Sequence, residues 1–152
     1  MSDALNSLNS LIIPLGGQPL LLPNVAVAEL VGYRLGQAAA GGPEWFLGWA
    51  HWRDQKVPLL DPGLLLGQPA DQSTTSRMLI LNATSGRPGL NFIGLRIAGI
   101  PRAKKVYRGE LQTVGGPRQF ISQEVSLDDE AQTLLIPDLA EIERVLGQAA
   151  AQ

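Results

Sequence analysis

The sequence predicts a mainly β protein folded as a barrel or sandwich. Three observations carry that expectation. Apolar runs are short and punctuated by glycine and proline, of which the 152 residues contain 17 and 11. Only one segment, near the C-terminal end, has convincing helical periodicity. An order of apolar strand, aspartate, leucines and glycine occurs twice, at Val57–Gly67 and around Asp138 within Leu134–Gly147, which points to two lobes.

Leu11–Leu15 and Gln18–Leu22 read as strands joined by a tight hairpin at Gly16-Gly17. Val25–Val31 is a third strand. Gly36–Pro43 is small and uncharged and reads as a loop. Trp45 opens an aromatic turn that ends in Gly48, and Trp49-Ala50-His51-Trp52-Arg53 alternates as a strand does. Asp54-Gln55-Lys56 reads as a polar turn and Val57–Leu60 as the return strand, which leaves Arg53 at the hairpin tip. Asp61 then caps a short leucine-rich helix, with Pro62 at its first position and Gly67 as its stop.

Gly67–Ser76 is polar and reads as the connection between lobes. Met78–Leu81, Phe92–Ile97, Leu111–Val114, Phe120–Ile121, Glu124–Leu127 and Thr133–Ile136 follow as strands. From Pro137 to Leu146, the residues Leu139, Ile142, Val145 and Leu146 share one helical face. Pro137 or Asp138 suits the start, Glu141 is placed to pair with Arg144, and Gly147 suits the stop. Residues 148–152 are expected to fray.

Composition excludes several functions. The formal net charge of −2 argues against nucleic-acid binding, which needs a basic face. Without cysteine there is no disulfide, thiolate metal site or cysteine nucleophile. No segment is apolar enough to insert into a membrane, and Met1–Ser10 carries no lysine or arginine of a secretory signal. A cytoplasmic protein is the resulting expectation.

The residues offer little catalytic chemistry. His51 is the one histidine, with no carboxylate at a local metal-ligand spacing, and there is no G-x-S-x-G or phosphate-binding glycine loop. Asp128-Asp129-Glu130 reads as a solvated hairpin turn rather than a cation site. Arg102, Lys104, Lys105 and Arg108 form the densest basic patch, a solvated face or a surface for an acidic partner. Trp45, Trp49 and Trp52 are closely spaced. Trp52 suits core filling, whereas Trp49 shares a strand face with Arg53, and an aromatic beside an arginine is a common interface anchor pair. The expected cofactor and metal content is none. A small-molecule-binding or enzymatic β-barrel with a site between the lobes, near His51, stays open as an alternative.

With these motifs in view, the chain resembles the CheW-like family of chemotaxis coupling adaptors, from about residue 11 to residue 147. Val25-Ala26-Val27-Ala28-Glu29-Leu30 is similar to the family's Val-x-Glu-Ile segment. Pro43 to Gly48 resembles its short helix before a glycine, and Trp49–Arg53 its Asn-Leu-Arg-Gly strand end. Val57-Pro58-Leu59-Leu60-Asp61 with Leu64-Leu65-Leu66-Gly67 resembles V-P-x-x-D-L…L-G. Gly94–Ile100 and Ile136–Leu146 resemble the later G-x-x-V-D-x-V and D-L-x-x-L segments more loosely.

The resemblance implies two interlocked five-stranded barrel lobes, a single domain over 11–147 with flexible termini at 1–10 and 148–152. It implies no catalysis. The implied partners are the cytoplasmic tip of a methyl-accepting chemoreceptor and the regulatory domain of a CheA-type histidine kinase. Arg53 is then expected on the receptor-binding surface, with Val27, Glu29 and Gly48 bordering it or the groove between lobes. Departures are His51 for asparagine, Asp54 for glycine after the arginine, Ala98 for aspartate, and Gly41-Gly42-Pro43 for a proline-rich segment. Such departures suggest an accessory adaptor, of the kind found in systems that drive type IV pilus twitching.

Overall fold

A computed structural model describes residues 7–69 and 76–151. The chain runs through β1 (Ser7–Ile13), β2 (Leu20–Pro23), β3 (Val27–Gly32), β4 (Gln37–Ala38), β5 (Phe46–Trp52) and β6 (Gln55–Leu60) to a helical turn, α1 (Pro62–Leu65). It continues through β7 (Arg77–Asn82), β8 (Phe92–Ile97), β9 (Arg102–Tyr107), β10 (Leu111–Gly115), β11 (Ile121–Leu127) and β12 (Leu134–Pro137) to α2 (Leu139–Ala150).

Among the described residues the strands form two six-stranded sheets, ordered β10-β11-β12-β2-β1-β9 and β4-β5-β6-β8-β7-β3. The two orders match element for element. Each lobe combines four successive strands with one hairpin, and each has a single parallel pairing, β12 with β2 and β6 with β8. In the second lobe the hairpin, β7–β8, follows its four strands. In the first lobe the hairpin, β1–β2, comes at the start of the chain and its four strands come last, so the second lobe is threaded between them.

Alternation along the strands builds three cores. Ile12, Leu21, Val106, Val125, Leu127 and Leu134 fill the first lobe. Ala50, Trp52, Val57, Leu59, Met78 and Ile80 fill the second. Their strand neighbours, including Ile13, Leu20, Leu22, Leu60, Leu79, Leu81 and Leu95, point the other way into a core shared by both lobes. That is why Met78–Leu81 reads as an unbroken apolar run: both faces of the strand are covered. Gly94 is needed where β8 meets β6, because a Cβ there would overlap the Leu59 side chain. The expected two interlocked β lobes with a C-terminal helix are present, each lobe with one strand more than anticipated.

α2 closes the interlock. It follows β12 of the first lobe but packs against β5 and β6 of the second, burying Ile142, Leu146 and Ala149 in the shared core. Asp138 caps it by accepting from the Glu141 amide at 3.2 Å, and Arg144 sits 3.6 Å from Glu141. Asp61 caps α1 in the same way, accepting from the Leu64 amide at 3.0 Å. The doubled strand-aspartate-helix order in the sequence is therefore a real structural echo.

Several elements differ from the expectation. Gly147 does not stop α2, which runs on to Ala150 because Ala149 is buried against the shared core. β1 starts at Ser7, so residues 7–10 and 148–150 belong to regular elements. In place of a short helix over 43–48, a turn closed by the Phe46 amide on the Pro43 carbonyl at 3.1 Å leads into β5, which already begins at Phe46. The Gly36–Pro43 loop contains the two-residue strand β4, and Ile121 joins Glu124–Leu127 in the single strand β11, while Phe120 lies in the turn before it with a φ of 67°. The expected termini at 1–6 and 152, and 70–75 of the interlobe connection, lie outside the described residues.

Candidate protein-binding surface

The β5–β6 hairpin turns on two residues, Arg53 and Asp54, not on Asp54-Gln55-Lys56. Both are left-handed, with φ of 48° and 60°, and Trp52 pairs with Gln55 across the turn. This matches the two-residue hairpin geometry whose twist suits the strands, although glycine or asparagine usually occupies it. The turn lifts Arg53 out of the strand alternation. Its guanidinium lies 4.8 Å from the centroid of the Trp52 ring and 3.3 Å from Glu29 Oε1. The Trp52 indole Nε1 donates to the same Glu29 oxygen at 2.8 Å. Trp52 is in turn wedged edge-to-face against Phe92, at 4.8 Å and 69°.

Arg53 thus stands on a fixed aromatic base with one carboxylate holding it, while its side chain stays 69% exposed. An exposed ion pair of this kind adds little stability. Together with the Trp52 ring it favours the direction in which the guanidinium lies.

The other expected site residues fall into different places. Glu29 joins Arg53 directly. A bulge between Val27 and Glu29 in the β3–β7 pairing separates the two, and Val27 packs against the shared core. Gly48 has a φ of 129° and pairs with Ala38 of β4, so it serves the backbone and presents no surface of its own. Trp49 is not beside Arg53. It points to the opposite face of β5, where it meets Phe46 edge-on at 5.1 Å and lies under Lys56 Nζ at 4.5 Å. The Trp49–Arg53 anchor pair fails because β5 ends at Trp52, and the left-handed turn swings Arg53 over Trp52 instead. Trp52 was legible only as core filler; its role as the arginine's platform depends on that turn.

His51 is exposed and lies across from Lys56, its ring close over Gly36. It lines none of the clefts described here. The space between the lobes near β5 and β6 is filled by the shared core. A cleft of about 220 Å³ does lie between the β1–β2 turn, α1 and β8. There Arg96 donates from Nη2 and Nε to Asp61 Oδ2 at 2.6 and 3.1 Å. Burial works against the charged guanidinium, but the Asp61 hydrogen bond and charge outweigh it and hold the Arg96 pKa above its ordinary value. Asp61 is therefore both cap and counterion.

Half of the basic patch is answered within the chain, while Lys105 and Arg108 meet no carboxylate among the described residues. Arg102 meets Glu130 at 2.7 Å, and Lys104 meets Asp129 at 2.8 Å and Glu110 at 3.5 Å. The acidic turn and the patch, read apart in sequence, meet across the fold through Arg102 with Glu130 and Lys104 with Asp129. Lys104 holds the Asp129 carboxyl below its usual range.

Glu124 is shifted down too. The Thr133 hydroxyl donates to it at 2.6 Å, Arg118 at 3.0 Å and the Gln18 amide at 2.7 Å. A carboxyl whose folded pKa lies below its unfolded one stabilises the fold above the unfolded pKa and loses that contribution as pH falls through the folded one. Thermal melting is therefore expected to drop as pH falls below about 4, and Glu124→Gln should flatten that drop. An acid slope unchanged in the variant would remove Glu124 from the account.

Taken together, fold and surface define a class of protein: two interlocked β lobes with an oriented arginine at a hairpin tip. Among the described residues there is no group of three or more histidine or carboxylate ligands for a metal. The chain belongs to the CheW-like domain family, whose model matches residues 9–145. Among solved structures it is similar to the scaffolding protein TtCheW from Thermoanaerobacter tengcongensis, with a TM-score of 0.71 and 17% identity over 87% of this chain and 89% of that one. No curated protein matches it. No helix among the described residues is long and apolar enough to cross a membrane.

Proposed function

We propose that this chain is a non-enzymatic coupling adaptor of bacterial chemosensory signalling, acting in the cytoplasm. In this reading it joins the cytoplasmic tip of a methyl-accepting receptor to the regulatory domain of a CheA-type histidine kinase. Family membership supports the adaptor role. The observation that carries the site is the exposed Arg53, its direction favoured by Trp52 and Glu29. Ordering a long side chain on binding costs free energy, and an arginine already positioned avoids most of that cost.

The contact surface is then Arg53 with Glu29, while Val27 and Gly48 shape the strands behind them. Binding of a purified receptor-tip hairpin, followed by calorimetry, tests this directly. Arg53→Ala is expected to weaken it by about 2 kcal/mol, roughly thirtyfold, with the thermal melt nearly unchanged. Unaltered affinity would show that the receptor is held elsewhere.

A further inference from the structure

The face of the hairpin turned away from Arg53 holds a second feature that the adaptor reading does not use. A shallow groove of about 450 Å³ runs between β5–β6, the 83–91 loop and the C-terminal end of α2. Trp49, Pro58, Leu90 and Ala150 supply apolar lining, and Lys56 and Arg87 supply charge. We propose that this groove docks an acidic protein segment, one with an apolar anchor residue flanked by carboxylates.

The charge pattern selects that partner. Arg53, Arg96, Arg102, Lys104, Arg118 and Arg144 each meet a carboxylate of the chain. Arg34, Lys56, Arg77, Arg87, Lys105 and Arg108 meet none among the described residues, and of these Lys56 and Arg87 share a groove. Two uncompensated cations therefore line one groove in a protein of net charge −2. Incoming carboxylates would pair with them and fix the register of the guest.

The groove is also built in advance. Lys56 is seated on the Trp49 ring, and Trp49 is backed by Phe46. Arg87 stands on a loop tied at several points. Glu143 accepts from the Thr84 and Ser85 amides at 3.1 and 2.9 Å, the Ala83 amide bonds the Asn91 carbonyl at 3.0 Å, and the Leu90 amide bonds the Arg87 carbonyl at 3.1 Å. Tryptophan and arginine around a preformed apolar depression are the usual makings of a binding hot spot. An anionic membrane is a poorer match, since lipid surfaces are held by larger basic clusters.

The test uses the whole protein and two synthetic peptides. One carries glutamates around leucine and phenylalanine anchors, and the other has lysine in place of every glutamate. The glutamate peptide is expected to shift the Trp49 indole and the Leu90 and Ala150 amides in nitrogen-edited NMR spectra. Its affinity should fall at least tenfold in the K56E/R87E double variant, whose thermal melt checks that the fold is intact. The lysine peptide should not bind.

Equal binding of both peptides, shifts away from the groove, or affinity untouched by the charge reversal would overturn the proposal. So would two other results: anionic vesicles that bind through Lys56 and Arg87 while the peptide does not, or self-association that the double variant abolishes. Receptor-tip affinity is read separately through Arg53, so failure here leaves the coupling function standing.

Discussion

Replacing Glu143 with alanine is expected to destabilise the protein by roughly 2 kcal/mol, because the change removes the acceptor of three part-buried donors at once. Glu143 is 1% exposed, yet it is a carboxylate in the middle of α2. It is tolerated there because the start of the 83–91 loop surrounds it with donors. The Thr84 amide reaches both carboxylate oxygens at 3.1 Å, the Ser85 amide reaches Oε1 at 2.9 Å, and the Thr84 hydroxyl reaches Oε2 at 3.3 Å. Thr84 and Ser85 are exposed, so water can reach their amides and each one left without its acceptor costs about 1 kcal/mol, the low end for such a loss. Relief of the buried charge offsets part of this, so the estimate stays below the sum. At about 2–4 °C per kcal/mol, the melting temperature should fall by roughly 4–8 °C. Glu143→Gln keeps an acceptor and should lie between the two. An alanine variant melting within a degree of the parent would mean that water or a rearranged loop takes over the carboxylate's role.

Gly48→Ala is expected to be at least as damaging, by roughly 2–5 kcal/mol. Two causes act together. The φ of 129° is one that side chains rarely adopt. A Cβ there would also overlap the Gln37 carbonyl oxygen and crowd the Ala39 amide nitrogen at 2.7 Å. Those are backbone atoms of β4 and its flank, so no rotamer change can yield. The expected result is a lower melt, with fast amide exchange at Ala39, whose N–H now bonds the Leu47 carbonyl at 3.0 Å. Slow exchange retained at Ala39 would show that the strand gives way elsewhere.

Part of the fold was legible because β2 and β7 are covered on both sides. Leu20–Leu22 and Met78–Leu81 had to be apolar throughout, and no half-exposed strand would leave that pattern. The two aspartate caps were legible for a local reason, since a cap is written within a few residues. What escaped was decided by distant neighbours. β9 carries Arg102, Lys104 and Lys105 at a sheet edge, where charge is favoured and the apolar signal disappears. β4 has no signal of its own and exists because Gly48 lets it approach.

Glu143 left a trace that could have been read. It sits on the stripe running from Leu139 to Leu146 and Ala150, where a solvated glutamate does not belong. At the site, the tip arginine was foreseen but its companion was not. Strand alternation was carried one residue too far, past Trp52, and nothing in Arg53-Asp54 advertises two left-handed residues as a glycine would have done.

The threading of one lobe through the other sets a timetable for synthesis. Strands β3 to β8 emerge as one uninterrupted block, so the second lobe can close while the ribosome is still working. The opening hairpin must wait: Leu20 finds its partner only when Leu135 arrives. Until then its apolar edge is a hazard for a nascent chain, and moving β1–β2 to follow α2 in a circular permutant would shorten that wait at the expense of the clasp that ties the halves together.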